Sequence, residues 1–517
     1  MSRKLKMTAA WAALGLILML IPASAQQRPA RPPEYAEFME AIRIEDLNAR
    51  IAEIERIKTA YPESVMAAAF DNAILNARIG LSTDVESVLE LQKTRLETDD
   101  VFGRIVYLYV SAMDIVRHRN LPLFDKAAVT GAVADYAETL QVLSRDPEVL
   151  KSFKDDQIRY AGIYAANIRL PQALAHLNEG HPDKAAATLQ MYAEAGGQKD
   201  KNFFHISGRV FEGLGKTREA YEAYLEAAVE SYEDSAEKAR DLHEKLFGDA
   251  GDFAKILETR QREIPYEAEH FRLEKEWTGK TVLAELFTGS ECPPCVGADL
   301  GFDGILEAFE PKYVAVLQYH LPIPGPDPMQ NHATDMRAGF YGVNSTPTTF
   351  FDGQRKHGGG GGRAQAEGKY AQYAGEIRSL LAETPPVKLT ASAKLDGDVI
   401  AVSFSADRAV AGADIHVALV ENEVVHKGGN GLLFHKMVVR EFKTFQETDG
   451  LKGREEIDLK ASEAAAEKHL ADFEAERKFT FPVKKTAIDR DALKVVVFVQ
   501  DGTTKDVHNA VVVDVTR

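Results

Sequence analysis

The segment Thr281–Cys295 reads TVLAELFTGSECPPC and contains the only two cysteines of the 517-residue chain. A short apolar run, Val282–Phe287, predicts a strand, and Thr288-Gly289-Ser290 predicts a turn after it. Cys292 and Cys295 follow, with only prolines between them. A strand, a tight turn and a Cys-x-x-Cys at the start of a helix are together typical of a redox-active cysteine pair.

Pro293 and Pro294 predict where the helix begins, because proline fits the first helical turn. Cys292 would then lie beside free backbone N–H groups and the positive end of the helix dipole, and both favour the reactive thiolate. Cys295, one turn further along, would be more buried and would resolve a mixed disulfide. This interpretation requires that the two sulfurs do not lie deep in packing.

Two segments downstream complete a resemblance to the thioredoxin-fold family, which covers roughly residues 270–385. Lys312–His320 (KYVAVLQYH) is similar to the family's next parallel strand, and Val343–Gly353 (VNSTPTTFFDG) is similar to the segment that carries its cis-proline. The resemblance implies that Pro347 lies against the cysteine pair. It also implies that the backbone before this proline, at Thr346, helps to hold the substrate.

The sequence departs from thioredoxin itself close to the cysteines. Glu291 stands where the family has a tryptophan, and a carboxylate next to Cys292 opposes thiolate formation. The family's buried acid falls near Leu286, whereas the nearest carboxylate, Glu285, is one residue away and on the opposite face of the strand. Glu285 and the proline-rich loop His320–Met336 make the chain more similar to a group of secreted bacterial thioredoxin-fold proteins.

His320 is a further candidate for the site, because it follows a parallel strand at the end where α/β folds place their sites. It could assist proton transfer at the dithiol, or it could be an ordinary histidine at a strand end. The glycine run Gly358–Gly362 lacks the Lys-Ser/Thr ending of a phosphate loop, so it predicts a flexible surface loop.

The cysteine pair has two alternative interpretations, a structural staple and a metal site. Two cysteines three residues apart close almost no loop, so a staple would contribute little stability. A metal site needs further ligands at fixed spacing, and neither a third cysteine nor a flanking histidine pair supplies them. We therefore expect no metal, and no cofactor other than the Cys292–Cys295 disulfide.

Length and composition bound the rest. A chain of 517 residues is expected to form about three domains, and 45% hydrophobic with 27% charged residues is ordinary for a globular protein. The formal net charge of −17 disfavours nucleic acid and anionic membrane surfaces as partners. The acidity could equally serve solubility alone.

The N-terminus predicts a secretory signal peptide over residues 1–25. Basic residues precede an apolar stretch, Thr8–Ile21, which is too short for a comfortable membrane span, and Ala23-Ser24-Ala25 matches a cleavage site. The mature chain would then be periplasmic or secreted by a bacterium, without stable membrane insertion. An uncleaved anchor is the alternative.

Residues 26–268 predict an α-helical domain. Apolar residues recur at intervals of three or four, as at Ile44, Leu47, Ile51, Ile54 and Ile57. One part of this region resembles a tetratricopeptide repeat at Phe204, Gly208, Phe211, Gly215, Ala220, Tyr224 and Ala227. A fainter copy has Ala173, Gly180, Ala185, Leu189 and Tyr192. Such repeats imply a concave surface for a partner, although a scaffold without a ligand would have the same pattern.

Thr384-Pro385-Pro386 marks a boundary between a thioredoxin-like domain, 269–384, and a different pattern of period two over 385–517. Alternation at Val399–Ser405 and apolar runs at Ile415–Val425 predict strands. The fold class is thus multidomain, with an all-α helical-repeat region, an α/β thioredoxin-like domain and an all-β sandwich of immunoglobulin-like type.

These observations favour a secreted thiol–disulfide oxidoreductase that acts on protein substrates. Cys292 would exchange with the client disulfide, Cys295 would close the reaction, and Thr346 and Pro347 would dock the client backbone. A second redox protein would have to recharge the pair. The alternative is a binding or assembly protein that uses its helical and β regions, with a redox-inert thioredoxin fold. No nucleophile elbow or metal motif supports a hydrolase.

Overall fold

The computed structural model describes residues 32, 34–98, 100–249, 251–273, 276–445 and 451–517. The predicted signal peptide lies outside this part of the chain. Within it, no helix combines the length and the apolar character needed to cross a membrane. The described residues divide into two compact units. The first comprises the described residues up to 228 together with 232–249, and the second comprises residues 229–231 together with the described residues from 251 to 517.

The first unit is helical, as the sequence predicts. Aspartates begin several of its helices by accepting backbone N–H hydrogen bonds, as Asp46, Asp84 and Asp125 do. Its helices are α1 Tyr35–Ala41, α2 Leu47–Ala60, α3 Ala67–Leu81, α4 Val85–Leu96, α5 Val101–Val116, α6 Lys126–Leu143, α7 Pro147–Leu150, α8 Asp155–Asn167, α9 Arg169–Glu179, α10 Pro182–Glu194, α11 Lys201–Gly213, α12 Thr217–Val229 and α13 Ser235–Phe247.

The residues that suggested a repeat pack closely. Gly208 of α11 lies against the ring of Tyr224 of α12, and a Cβ at position 208 would come within 2.7 Å of that ring. Tyr224, Ala220 and Ala185 are fully buried. Small residues and aromatic rings therefore allow the close helix approach that the pattern predicts, whereas a tetratricopeptide repeat as such stays a prediction.

The second unit is rich in strands. Its elements are, in chain order, α14 Phe253–Arg262, β1 Val282–Thr288, α15 Val296–Ala308, β2 Val314–His320, α16 His332–Tyr341, β3 Thr348–Phe351, β4 Gln354–Gly358, α17 Ala366–Leu380, β5 Leu389–Asp396, β6 Val399–Ala406, β7 Ala413–Val425, β8 Phe434–Phe445, β9 Lys452–Asp458, α18 Leu459–Arg477, β10 Leu493–Asp501 and β11 Val507–Thr516. These strands form one 11-stranded sheet in the order β4-β3-β1-β2-β8-β7-β10-β11-β5-β6-β9.

The first four strands carry the cysteine motif. β1 pairs with β2 in parallel from Val282↔Val314 to Thr288↔His320, and β3 runs antiparallel to β1 on its other side. Every residue of β1 and β2 is buried, as expected for central strands with helices on their faces. The carboxyl ends of β1 and β2 therefore lie side by side, directly before the cysteines and the proline-rich loop.

The remaining strands continue the same sheet through β2 and β8, which pair in parallel at Gln318↔Val438. The predicted boundary at residue 384 thus falls between strands of one sheet. Further along, β11 and β5 join through two residue pairs, ending at Thr516↔Lys394. Side chains of β5, β6 and β9 share a single hydrophobic core with those of β7 and β10. The immunoglobulin-like type stays a prediction.

Candidate functional site

Cys292 and Cys295 form a disulfide, with the sulfurs 2.07 Å and the Cα atoms 5.3 Å apart. Cys292 precedes a single 3-10 turn, Pro293–Cys295, which continues directly into α15. The Cys295 N–H donates to the Cys292 carbonyl at 3.0 Å and closes this turn. The predicted helix start at the prolines is confirmed.

Both cysteines are buried: Cys292 is 1% and Cys295 0% exposed. The expectation that the sulfurs do not lie deep in packing is therefore wrong in this oxidised form. The physical reason is that distant segments close around the turn before Cys292. A Cβ at Gly289, for example, would come within 2.9 Å of the Leu321 carbonyl and 3.0 Å of the Ile323 carbonyl.

Thr346 lies against the disulfide, and the peptide bond between Thr346 and Pro347 is cis. The Thr346 hydroxyl oxygen is 3.3 Å from Cys292 Sγ and 2.8 Å from the Ile323 carbonyl oxygen. A hydroxyl has one hydrogen to donate, so it serves either the carbonyl or the sulfur. The contact agrees with the placement of Thr346 that the resemblance implies, whereas a contact of Pro347 with the sulfurs stays a prediction.

The glycine run before α17 is packed onto the Cys-Pro-Pro-Cys segment. The Gly361 N–H donates to the Pro294 carbonyl at 2.7 Å, and the Gly297 N–H of α15 donates to the Gly361 carbonyl at 2.8 Å. A Cβ at Gly360 would be 1.7 Å from the Pro294 carbonyl oxygen and 3.0 Å from Pro347 Cδ. Gly360 and Gly361 are thus held against the cysteine motif, and glycine at position 360 is needed for this close approach. Flexibility of the run as a whole stays a prediction.

His320 connects to the cysteine turn through Asp327, a residue of the proline-rich loop. His320 Nδ1 is 3.0 Å from Asp327 Oδ2, which also accepts the Ser290 N–H at 2.6 Å. Burial alone would raise the pKa of Asp327, but His320 and the N–H groups of Ser290 and Met329 lower it to about 2. Because Asp327 is ionised, His320 Nδ1 is the ring nitrogen that donates a hydrogen to it.

Asp299 lies one turn beyond Cys295 on α15, and its carboxyl is buried. Burial raises its pKa to about 7, although the Thr288 hydroxyl and the charge of His320 oppose this rise. Neither Asp299 Oδ1 nor His320 Nε2 has a hydrogen-bond partner among the described residues. A buried polar atom without a partner costs about 1–3 kcal/mol, so two of them beside a disulfide call for an explanation.

The loop between β7 and β8 binds the residues just before Cys292. The Asn430 backbone N–H donates to the Ser290 carbonyl at 2.9 Å, and the Asn430 side-chain amide donates to the Gly289 carbonyl at 3.3 Å. The Gly429 N–H donates to the Glu291 carboxylate at 3.0 Å. The half-buried Glu291 has a pKa raised by burial, against the effect of this N–H group. The region beyond residue 385 thus contributes a loop directly to the site.

β8 also brings a second histidine to the site. The His435 ring lies 5.1 Å from the His320 ring, and His435 Nε2 is 3.0 Å from the His426 carbonyl oxygen. Burial and the neighbouring His320 lower the pKa of His435 to about 3, so this ring is neutral at physiological pH. The two rings therefore do not repel each other.

Within the described part of the chain, one group of three side chains could hold a metal ion, and it lies in the helical unit. His205 Nε2 is 3.3 Å from Glu233 Oε2, and Asp234 completes the group. The Arg117 guanidinium lies 3.7 Å from Glu233 and already compensates part of its charge. An internal ion pair accounts for this arrangement.

Glu285 belongs to a different cluster, whose other members are Arg337, Tyr319 and Tyr341. Its carboxylate accepts two hydrogen bonds from Arg337, at 2.7 and 3.0 Å, and one each from the hydroxyls of Tyr319 and Tyr341. The prediction that Glu285 supports the disulfide is therefore corrected. Its side chain lies on the face of β1 opposite to that of Leu286, as the strand alternation indicates.

The residues that sequence reasoning missed are Asp299, Asp327 and Asn430. The spacing of four from Cys295 to Asp299, in an otherwise apolar helix, was a local signal that could have been used. Asp327 and Asn430 had none, because they reach the site through the tertiary fold. Comparison of the chain with family models, curated proteins and solved structures gave no match in any of the three.

Proposed function

We propose that this chain is a thiol–disulfide oxidoreductase of thioredoxin-like fold that exchanges disulfides with protein clients at Cys292 and Cys295. The observation that carries the proposal is the contact of Thr346, next to Pro347, with the Cys292 sulfur at a helix start. The order β4-β3-β1-β2, with β3 antiparallel to β1, also suits a thioredoxin-like layout.

The chemistry is a pair of thiolate displacements. In the reduced form, the Cys292 thiolate attacks a client disulfide, forms a mixed disulfide and releases one client thiolate. Cys295 then attacks Cys292 Sγ, restores the Cys292–Cys295 disulfide and releases the second client thiolate. The backbone N–H groups at the start of α15 and the Thr346 hydroxyl stabilise the Cys292 thiolate. The direction of net exchange follows from the reduction potential relative to the partner.

A client can reach Cys292 only after a neighbouring segment moves, because the residue is 1% exposed in the oxidised form. The segments that hold the turn are the loop after β2, the Thr346 segment and the loop around Asn430. The loop around Asn430 is attached to Ser290 and Glu291 by hydrogen bonds that can exchange with water.

The proposed setting is a bacterial periplasm or the cell exterior, where the predicted signal peptide would deliver the chain. The partners would be protein clients and a second dithiol or disulfide protein that recharges the pair. The helical unit is proposed to recruit clients through its repeat-like surface. Nucleic acid is not a proposed partner, since the net charge of −17 opposes it.

Trapping of mixed disulfides tests this proposal. We expect Cys295→Ala to accumulate covalent complexes with client proteins that a reductant releases, because the resolving thiol is absent. Cys292→Ser is the matched control, and it should trap none. Equal yields from both variants would contradict the assignment of Cys292 as the attacking residue.

Burial of both sulfurs favours a second candidate function, a binding protein in which the disulfide is inert. In that case the Cys292→Ser, Cys295→Ser double variant would retain all non-covalent partners and the wild-type protein would reduce no client disulfide. If instead the wild-type protein reduces client disulfides and the double variant does not, while both keep the same partners, the result would support the oxidoreductase. The rest of the chain would then recruit clients.

A further inference from the structure

The loop between β7 and β8, residues 427–432, lies on the turn that precedes Cys292 and is named the lid loop. A hydrogen bond from the Gly428 N–H to the Leu432 carbonyl, at 2.9 Å, closes the lid loop on itself. Glycine at position 428 permits the contact with the turn, because a Cβ there would come within 2.5 Å of the Ser290 carbonyl oxygen. The lid loop is therefore shaped to cover the residues next to the attacking sulfur.

Three hydrogen bonds hold the lid loop on the turn, and they differ in charge. The Asn430 backbone N–H and side-chain amide donate to the carbonyls of Ser290 and Gly289, and all of these groups are neutral. The Gly429 N–H donates to the Glu291 carboxylate at 3.0 Å, and a Cβ at position 429 would overlap that carboxylate. The bond to Glu291 is thus the one of the three that a new charge nearby would change most.

The surroundings of Glu291 stabilise its charge only weakly. Burial raises the pKa of this half-buried carboxyl, the Gly429 N–H lowers it, and the charge of Asp327 in the loop after β2 raises it further. In the segment of the lid loop, His426 has a pKa lowered by burial and Lys427 is exposed to solvent. The carboxylate therefore depends on its hydrogen bond to Gly429 while it stays under the lid loop.

Reduction of the disulfide changes the charge beside this bond. In the oxidised form neither sulfur is charged, whereas an ionised Cys292 thiolate places a negative charge on the residue next to Glu291. Two negative charges this close disfavour each other, and Asp327 adds a third. The Glu291 carboxylate can regain water around it if it leaves the Gly429 N–H.

We propose that the lid loop is a redox-sensitive lid with Glu291 as its latch, a role that rests on the proposed oxidoreductase function. The lid is closed over the uncharged disulfide. Reduction adds two electrons and two protons to the sulfurs, and Cys292 then releases its proton to water. The thiolate repels the Glu291 carboxylate, which releases Gly429, and the lid opens. Clients thus reach Cys292 in the form that can attack them, and the lid covers it again once the disulfide has re-formed.

Backbone hydrogen exchange of residues 427–432, followed by mass spectrometry on the full chain, tests the lid. We expect exchange at least about tenfold faster in the protein reduced by dithiothreitol than in the oxidised protein. Glu291→Gln keeps an oxygen that can accept the Gly429 N–H but removes the charge, so its two redox states should differ by less than about twofold. Glu310→Gln is the matched control. Glu310 precedes β2, at the end of the strand away from the site, so this variant should keep the full difference.

A pH series on the wild-type protein distinguishes the charge of the thiolate from the mere loss of the S–S bond, and it needs no variant. The ratio of the exchange rates, reduced over oxidised, cancels the intrinsic pH dependence of exchange. We expect this ratio to be near one below the pKa of Cys292, which the ultraviolet absorbance of the thiolate measures, and to rise as the thiolate forms.

A ratio that is the same at every pH would overturn the inference, as would a redox difference that persists unchanged in Glu291→Gln. Insulin reduction by the wild-type protein is measured alongside. Turnover with a lid loop that does not respond to reduction would overturn the lid alone, whereas absence of turnover would count against the proposed function.

Discussion

Two buried polar clusters lie against β1 and β2, and they differ in how completely their atoms are hydrogen-bonded. Around Glu285, both carboxylate oxygens are bonded to Arg337 and to tyrosine hydroxyls. Beside the disulfide, Asp299 Oδ1 and His320 Nε2 have no partner among the described residues. The first cluster is fully hydrogen-bonded and stabilises the fold, whereas the second leaves two buried polar atoms without a partner in the described part of the chain.

The largest change in stability is expected when the fully hydrogen-bonded cluster around Glu285 loses Arg337. Arg337→Met leaves the Glu285 carboxylate buried without its cation, so we expect the free energy of unfolding of this unit to fall by about 3–5 kcal/mol. Urea unfolding measures it. Lys312→Ala, which removes an exposed ion pair with Glu310, is the control and should change the value by less than about 0.5 kcal/mol. A loss below about 1 kcal/mol for Arg337→Met would contradict the structural role.

In the cluster beside the disulfide, substitution of Asp299 should raise the free energy of unfolding at alkaline pH, whereas substitution of Arg337 lowers it. The pKa of Asp299 is raised, so the folded state holds its proton more tightly, and wild-type stability is lost as pH rises from about 4 to about 7. A pKa of about 7 in place of 3.8 corresponds to at most about 4 kcal/mol. We expect Asp299→Asn to lack this loss. In urea unfolding, its midpoint should lie at a higher urea concentration than that of wild type at pH 8, with little difference at pH 4. A variant less stable than wild type at pH 8 would argue against it.

A smaller effect is expected at the glycine run that packs on the cysteine motif. Gly360→Ala would place a Cβ 1.7 Å from the Pro294 carbonyl oxygen, so the segment must shift. We expect a loss of about 1–3 kcal/mol in thermal or urea unfolding, together with faster reduction of the disulfide. Gly368→Ala in α17, where a Cβ meets nothing within 4 Å, is the control and should be neutral or stabilising. Equal behaviour of both variants would show that the contact is unimportant.

The smallest effect is expected at the loop between β7 and β8. Asn430→Ala removes the amide hydrogen bond to the Gly289 carbonyl and leaves the backbone bond to Ser290 in place. We expect about 1 kcal/mol less stability and a severalfold faster reduction of the disulfide by dithiothreitol, because the turn before Cys292 opens more often. The exposed Asn344 provides a control by substitution with alanine. An unchanged reduction rate would exclude this loop as the segment that opens.

The local features of the site were predictable because they depend on neighbouring residues in the chain. The strand at Val282–Phe287, the helix start at Pro293 and the Thr346–Pro347 segment each follow from a few consecutive residues. The parallel pairing of β1 and β2 follows from the same βαβ pattern. Helices in the first unit follow from apolar periodicity.

The features that close the site were not predictable, since they join residues far apart in sequence. Asn430 reaches the cysteine turn only because β8 pairs with β2, and a single residue pair makes that connection. The burial of Cys292 and the packing of Gly360 on Pro294 follow from the same tertiary closure. Glycine in a loop has no sequence signal that separates flexibility from close approach.

Turnover of a protein disulfide tests the central claim most directly. Reduction of insulin disulfides, with dithiothreitol as the electron source, should be accelerated by the wild-type protein and not by Cys292→Ser, which retains the fold but lacks the attacking thiol. A wild-type rate no greater than that of Cys292→Ser would contradict the account and leave the disulfide a structural element.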